Sequence, residues 1–314
     1  MKRTIAVLVS VMLVIGILSP LTAQVTEAEG KLKEHKADTL RGWKTGGVAG
    51  ANLAQTALIN WAAGGEKSFA INGIFSLFAN YKKGKITWDN SLDLGYGLLK
   101  QGEVDFKKTD DKVDILSKFG REAYKNLYYA GLFNFKSQMT PGYNYLSDGT
   151  RTKISDAFAP AYIITAIGVD YKPNNYLSIF AAPLTGKITL VTDEVLSNAG
   201  AFGVEPGKSN NSEFGGYMRF IFTKNDFKSE FMKNVSITSK LDLFSNYLKD
   251  PQNIVVNWEN LIALKVNKFI NVNLSTHLIY DDKIKIAKEV DGVVEEAPRV
   301  QFKEIFGVGV SFKF

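Results

Sequence analysis

The chain has 314 residues, a formal net charge of +6, 12% aromatic side chains and a mean hydropathy of −0.06. It contains no cysteine, which excludes disulfide scaffolds and cysteine-based metal or redox centres, and its two histidines, His35 and His277, leave little for a histidine-centred metal site. Positive and negative residues are interspersed without a basic stripe or a recognition motif, so no nucleic-acid partner and no cofactor are expected.

The chain opens with Lys2 and Arg3, an apolar run from Ile5 to Leu18, then Ser19, Pro20 and small residues up to Ala23. This three-part order predicts an export signal over residues 1–23, cleaved after Ala23. A membrane anchor is the alternative, but the run falls short of the roughly 20 residues a spanning helix needs. Every later apolar run is interrupted by charged or polar residues. Removing Lys2 and Arg3 lowers the formal charge to +4. Residues 24–41, polar and carrying His35, read as a periplasmic lead-in or short helix that could also enter a barrel as a plug. Residues 42–314 read as a single domain.

From residue 43 the pattern is one of alternating segments bounded by turn-formers. Twelve strands are predicted, over 43–55, 67–82, 85–99, 113–124, 127–140, 159–172, 176–190, 213–223, 234–247, 254–266, 269–280 and 300–314. These lengths are long for a soluble sheet and suit tilted membrane strands. Short connections at Lys83-Gly84, Lys125-Asn126, Pro173-Asn174-Asn175 and Asn267-Lys268 alternate with long ones at 56–66, 100–112, 141–158, 191–212, 248–253 and 281–299. An up-and-down barrel with both termini in the periplasm and its long loops outside would have this order. The connection 224–233 is longer than its short counterparts and reads as a small periplasmic excursion. Pro183 interrupts the alternation of its strand and predicts a bulge or a locally unpaired edge.

The two faces of these strands differ. In the last one, Phe302, Phe306, Val308, Val310, Phe312 and Phe314 share a face, opposite Lys303, Gly307, Gly309, Ser311 and Lys313. The aromatic end at Phe314 resembles the closing strand of bacterial outer-membrane barrels, which implies recognition by the outer-membrane assembly machinery. Trp43, Tyr81, Trp88, Tyr129, Tyr171, Tyr247, Trp258 and Tyr280 fall on the apolar face, most near strand ends, as girdle residues would. The opposite face carries Lys44, Asp89, Asp93, Asp114, Lys118, Glu122, Lys136, Asp170, Arg219, Lys240, Asp242, Glu259, Lys265, Lys303 and Lys313. A soluble β-sandwich or a periplasmic lipocalin-like barrel is the rival fold and would reverse the sense, with apolar residues inside and polar ones outside; no dry core accommodates so many charges, and the export signal, the long strands and the terminal Phe decide which face is which. The fold class is therefore all-β, a transmembrane antiparallel barrel of about twelve strands in a bacterial outer membrane, in contact with its lipid and lipopolysaccharide.

Five stretches, Asn60-Trp61-Ala62-Ala63-Gly64-Gly65, Ala181–Lys187, Gly200–Val204, Phe244-Ser245-Asn246-Tyr247 and Leu278–Asp282, carry a family resemblance. Together, over about residues 42–314, the chain resembles a family of uncharacterised outer-membrane barrels from Bacteroidota, domain-of-unknown-function family 3078. The resemblance implies location and fold; it brings no activity, ligand or catalytic residue with it.

Three constellations invite chemistry. Gly186-Lys187 looks like part of a phosphate loop, but Ile188 stands where Ser or Thr is needed and the segment is a strand. His277 with Ser275 and Asn273 invites comparison with outer-membrane phospholipase, a twelve-stranded barrel of similar architecture, yet the register turns all three toward the lumen. No catalytic residue and no metal site are assigned, and the protein is not expected to be an enzyme. Acidic groups at Glu103, Asp105, Asp110, Asp111 and Asp114, at Asp281 and Asp282, and at Glu289, Asp291, Glu295 and Glu296 read as solvated loop charge, with calcium bridging as the alternative. The segment 191–212, with Gly200, Gly203, Gly207, Phe202 and Pro206, is either an ordered loop at the barrel mouth or surface disorder.

The inward charges are nearly balanced and should pair across a narrow interior, which argues against strong ion selectivity. Twelve strands lie between the filled eight-stranded barrels and the open sixteen-stranded porins. The sequence thus predicts a narrow passive pore for small solutes, with a non-conducting, loop-presenting barrel as the alternative and an outer-membrane hydrolase as a distant one.

Overall fold

The computed structural model describes residues 42–57, 66–145, 149–267, 271–290 and 293–313. The export signal at 1–23, the segment 24–41 with His35, the Asn60–Gly65 stretch and the terminal Phe314 lie outside the described residues. Among the described residues no helix is long and apolar enough to cross a membrane.

Twelve long strands form a closed antiparallel barrel. In chain order they are β1 (Gly42–Thr56), β2 (Ser68–Lys83), β3 (Ile86–Gln101), β4 (Lys107–Tyr124), β5 (Leu127–Ser137), β8 (Ala161–Tyr171), β9 (Leu177–Leu190), β10 (Asn210–Lys224), β11 (Val235–Asn246), β12 (Ile254–Lys265), β13 (Asn271–Tyr280) and β16 (Gln301–Lys313). Each pairs with the strand before and after it, and the first and last close the ring through a register running from Val48 opposite Lys313 to Asn52 opposite Gly309. Closure matters physically, because backbone groups facing lipid must find partners within the protein. Two further hairpins, β6 (Gly142–Tyr145) with β7 (Arg151–Ser155) and β14 (Lys285–Val290) with β15 (Val293–Pro298), sit in the long connections. The short connections gather at one end of the barrel, the turn end, and the long ones at the other, the loop end. At the turn end Asn126 takes a left-handed conformation, and the Asn174 side chain accepts from the amides of Tyr176 and Leu177.

The apolar face points outward. Trp43, Trp88, Tyr129, Tyr171, Tyr247, Trp258, Phe302, Phe306 and Val308 are all exposed. Near the turn end Trp43 packs against Tyr81 and Trp88 at ring distances of 5.3 and 5.6 Å. Polar side chains on this outer face bond to each other. Trp88 Nε1 donates to Ser117 Oγ at 2.9 Å and Ser117 to Asn90 Oδ1 at 2.7 Å; Trp258 and Ser239 repeat the arrangement with Asn260. Such pairing removes the cost of bare polar groups in an apolar medium.

The bulge expected at Pro183 is present. Pro183 and Leu184 both face outward, and the pairing of β9 shifts register against β8 between Ile167 and Val169 and against β10 between Gly215 and Tyr217. Gly168 is required there, since a Cβ on it would stand 2.0 Å from the Ala181 carbonyl oxygen. The bulge reverses strand parity, so that Phe180 and Ala182 point inward before it and Thr185, Lys187 and Thr189 after it.

The inner face is not uniformly polar: Ala130, Leu132, Ala166, Phe180, Ala182, Tyr217 and Phe244 form a buried cluster inside the barrel along β5, β8, β9, β10 and β11. Alanines on three of these strands leave room for the rings, and Phe180 meets Tyr217 edge-on at 6.3 Å.

Candidate functional site

Alternation delivers charged side chains from many strands to the lumen, and there the charges pair. The densest layer lies near mid-barrel. Lys112 Nζ reaches across from β4 to Glu259 Oε2 on β12 at 2.7 Å, and Lys136 Nζ on β5 stands 3.4 Å from both Asp242 Oδ2 and Glu259 Oε1. Asp114 lies within 3.9 Å of Lys112 and 3.8 Å of Lys136, and accepts from Asn134 Nδ2 at 2.6 Å. Arg219 Nε approaches Asp242 Oδ1 at 3.5 Å, and the Tyr217 hydroxyl donates to the same oxygen at 2.8 Å while accepting from Arg219 at 3.3 Å. The layer therefore joins strands from opposite walls.

A second cluster lies toward the turn end. Lys118 contacts Asp170 at 2.6 Å, Ser178 donates to Asp170 at 2.7 Å, and Lys172 bridges Asp170 and Asp89 at 3.5 and 3.1 Å. Lys240 stands 3.6 Å from Asp93. At the loop end Lys187 lies between Glu213 at 3.1 Å and Asp281 at 3.5 Å, with Lys283 also on Glu213, and Lys303 meets Asp110 at 2.6 Å.

Of the lumen residues expected from the sequence, Asp89, Asp93, Asp114, Lys118, Lys136, Asp170, Arg219, Lys240, Asp242, Glu259 and Lys303 take part in these contacts. Glu122 stands opposite the inward-facing Tyr128, and Lys265 opposite Asn271; both sit at the turn end, apart from the central layer. Lys112, Lys172, Lys187, Glu213, Tyr217 and Asp281 belong to the lumen network without having been singled out for it. Lys112 shares parity with Asp114 and Lys118, so extending that strand by one pair of residues would have found it. Asp110, Asp111 and Asp114 are not loop charges, because β4 already begins at Lys107. Asp111 instead accepts from Lys108, the Thr140 hydroxyl and the amides of Met139 and Thr140, tying β4 to the chain after β5.

Two chambers flank the central layer. The larger, about 320 Å³, opens to the loop end between β4, β5, β8 to β13 and β16. The smaller, about 90 Å³, lies toward the turn end and is lined by β2 to β4 and β9 to β11, including Asn80, Asp93, Ser178 and Thr223. Lys136, Asp242 and Glu259 line the larger chamber, and Asp114, Arg219 and Lys240 the smaller.

The segment 191–212 is ordered. A short helix α1 (Glu194–Asn198) is capped by Asp193, whose side chain accepts from the Leu196 amide at 3.0 Å and pairs with Lys153 at 2.7 Å. Val191, Leu196 and Val204 close a small core with Ala159, and Phe202 packs on it while lining the larger chamber. His277 Nε2 lies 2.5 Å from Asn257 Oδ1, which accepts from it. Lys187, bracketed by two carboxylates on a strand, is placed for ion pairing and not for a phosphate. Among the described residues no group of three His, Cys, Asp or Glu side chains converges as metal ligands would.

Among solved structures, the chain is similar to the translocator domain of the autotransporter NalP from Neisseria meningitidis, with 9% identity, 93% of this chain and 99% of that one covered, and a TM-score of 0.40. An outer membrane channel from Pseudomonas putida F1 aligns at 11% identity over 88% and 96% of the two chains, with a TM-score of 0.39. OmpT, an outer membrane protein of Vibrio cholerae, aligns at 8% identity over 87% and 97%, with a TM-score of 0.30. No curated protein matches the sequence. Residues 53–143, from the end of β1 through β5 into β6, match the model of the family described as protein of unknown function (DUF3078), the family that the sequence resembles.

Proposed function

We propose that the chain is a bacterial outer-membrane barrel that conducts small solutes passively through a narrow lumen, held nearly shut at rest by side chains. In this reading residues 1–23 direct export, residues 24–41 lead into the barrel from the periplasm, the turn end is periplasmic, and the strand ending at Phe314 is read by the assembly machinery. The outer belt meets membrane lipid and lipopolysaccharide. The observation that carries the proposal is the arrangement of two chambers on either side of a single layer of paired charges. Among the described residues it is side chains that divide the lumen, and such a division can open when a few ion pairs rearrange. Its near balance of charge favours weak ion selectivity. No bond-making step is assigned to it, and His277 is engaged by Asn257 on the lumen wall.

Single-channel recording of the folded chain in a planar bilayer tests this. The native barrel should give small or rare steps, and the double variant Asp242→Ala, Glu259→Ala should give larger, longer ones, because it removes four of the contacts that hold the layer. A folded, heat-modifiable barrel that never conducts in either form would overturn the pore.

The ordered small core of Ala159, Val191, Leu196 and Val204 favours a second reading, a barrel that presents its loops to a partner. That reading requires partner binding that is lost when 191–212 is trimmed and no conductance in the double variant.

A further inference from the structure

The loop-end chamber is not explained by the ionic layer that forms its floor. Its size, about 320 Å³, falls within the range of small-molecule sites. Part of its wall is apolar and aromatic: Ile164, Tyr217, Phe244 and Val255 come from neighbouring strands, with Phe202 at the mouth. The four lysines of the lining already have carboxylate partners, Lys112 with Glu259 at 2.7 Å, Lys136 with Asp242 at 3.4 Å, Lys187 with Asp281 at 3.5 Å and Lys303 with Asp110 at 2.6 Å. An ionic guest would have to break one of these pairs. An apolar guest need break none of them.

Phe202 adds a second, independent feature. It holds φ +57°, a left-handed backbone that bulky residues rarely adopt. The surrounding loop over-determines that geometry: Ala201 and Phe202 pack on the Val191–Leu196–Val204 core, and Asn211 Nδ2 donates to the Gly203 carbonyl at 3.1 Å. Backbone strain of this kind is concentrated at ligand clamps and switch segments. Here it aims an aromatic ring at the chamber.

We infer that the loop-end chamber binds an uncharged small molecule with an apolar ring face, seated against Tyr217, Phe244 and Val255 and capped by Phe202. The site is a property of the chamber and does not require the barrel to conduct.

The test uses the folded chain in lipid nanodiscs, with empty nanodiscs subtracted, and equilibrium dialysis of 1-naphthol against naphthalene-1-sulfonate at neutral pH. Saturable binding of one naphthol per chain is expected, with the sulfonate at least about tenfold weaker because its charge must be desolvated beside carboxylates that are already paired. Val255→Trp, which fills the chamber, should abolish the binding, whereas Ile262→Trp on the outer face of the same strand should leave it unchanged. Phe202→Ala should weaken it even if Val255→Trp fails to fold, which the heat-shifted mobility of the barrel reports. Sulfonate binding as tightly as naphthol, no binding above empty discs, or naphthol binding indifferent to both Val255→Trp and Phe202→Ala would overturn the site. Conductance is read separately, so loss of the pore reading leaves this outcome intact.

Discussion

The two chambers are built by the same alternation from the same barrel, yet their linings differ. The turn-end chamber draws on β2 and β3, where the inward Ser76, Asn80, Asp89, Ser91 and Asp93 surround the single ring of Phe78 on one side of a small space. The loop-end chamber has no lining residue from β1, β2 or β3 and takes rings from β10 and β11 beside long lysines. Barrel geometry alone therefore does not determine what a lumen is for. The side chains placed at each level decide how much space is left, and the ionic layer lies between the two chambers.

The largest effect should come from breaking that layer. In Asp242→Ala, Arg219 loses its carboxylate at 3.5 Å, Lys136 one at 3.4 Å and the Tyr217 hydroxyl its acceptor at 2.8 Å. Removing one partner of a buried pair costs about 3–5 kcal/mol, and Arg219 is only 3% exposed. Urea unfolding of the barrel in vesicles, followed by tryptophan fluorescence, should show a loss of that order; a change under about 0.5 kcal/mol, typical of an uninvolved surface site, would mean that the layer is not what holds the chambers apart. Within the turn-end chamber the effect should be smaller. Ser178→Ala deletes a neutral hydroxyl that donates to Asp170 at 2.7 Å, while Lys118 and Lys172 still hold that carboxylate. A loss of about 1.5–3 kcal/mol in the same assay is expected, the net worth of one hydrogen bond to a charged group. A loss equal to that of Asp242→Ala would erase the distinction between the two levels.

Most of the barrel was legible from alternation, and the exceptions have physical causes. Each of the twelve strands expected from the sequence exists, and for most of them the ends fall within two or three residues of the expected ones. The first part of β4, from Lys107 to Lys112, reads as loop in the sequence because six consecutive polar or charged residues carry no apolar alternation, although they continue the ladder opposite β3. The same run conceals Lys112, one of the two lysines that hold Glu259. Lys187 is concealed by the parity reversal at Pro183, since the proline marks a bulge but not its consequence for the residues beyond. The aromatic patch was missed because β9 and β10 carry apolar residues on both faces; Phe220 and Phe222 share their parity with outward-facing Met218, while Tyr217 points inward. The β14–β15 hairpin had a signal in Asp291-Gly292, a dipeptide that favours tight turns. The pairing of lumen charges followed from their balance alone, but which lysine meets which carboxylate depends on barrel curvature, which no local pattern contains.

The smallest effect concerns the roof of the loop-end chamber, where acid should loosen the cap and leave the barrel alone. Asp193 lies in the loop before α1, and its carboxyl is held below the ordinary aspartate value of 3.8 first by the hydrogen bond from Lys153 and then by the Leu196 amide. A depressed carboxylate contributes stability that is fully present above its unfolded value and is lost as pH falls through the folded one. The cap should therefore hold through neutral and mildly acidic pH and open below the ordinary aspartate range. Hydrogen exchange read by mass spectrometry should report faster exchange of the 191–212 peptide at low pH, after correction for the intrinsic rate, with the peptides of β10 and β11 unchanged. Asp193→Asn keeps an acceptor for the Leu196 amide but loses the charge that Lys153 meets, so it should show the loosened exchange at neutral pH and little further change on acidification. If its exchange still rose steeply at low pH, the titrating group would lie elsewhere in the roof, with Asp156, the other carboxylate on Lys153, as the next residue to replace.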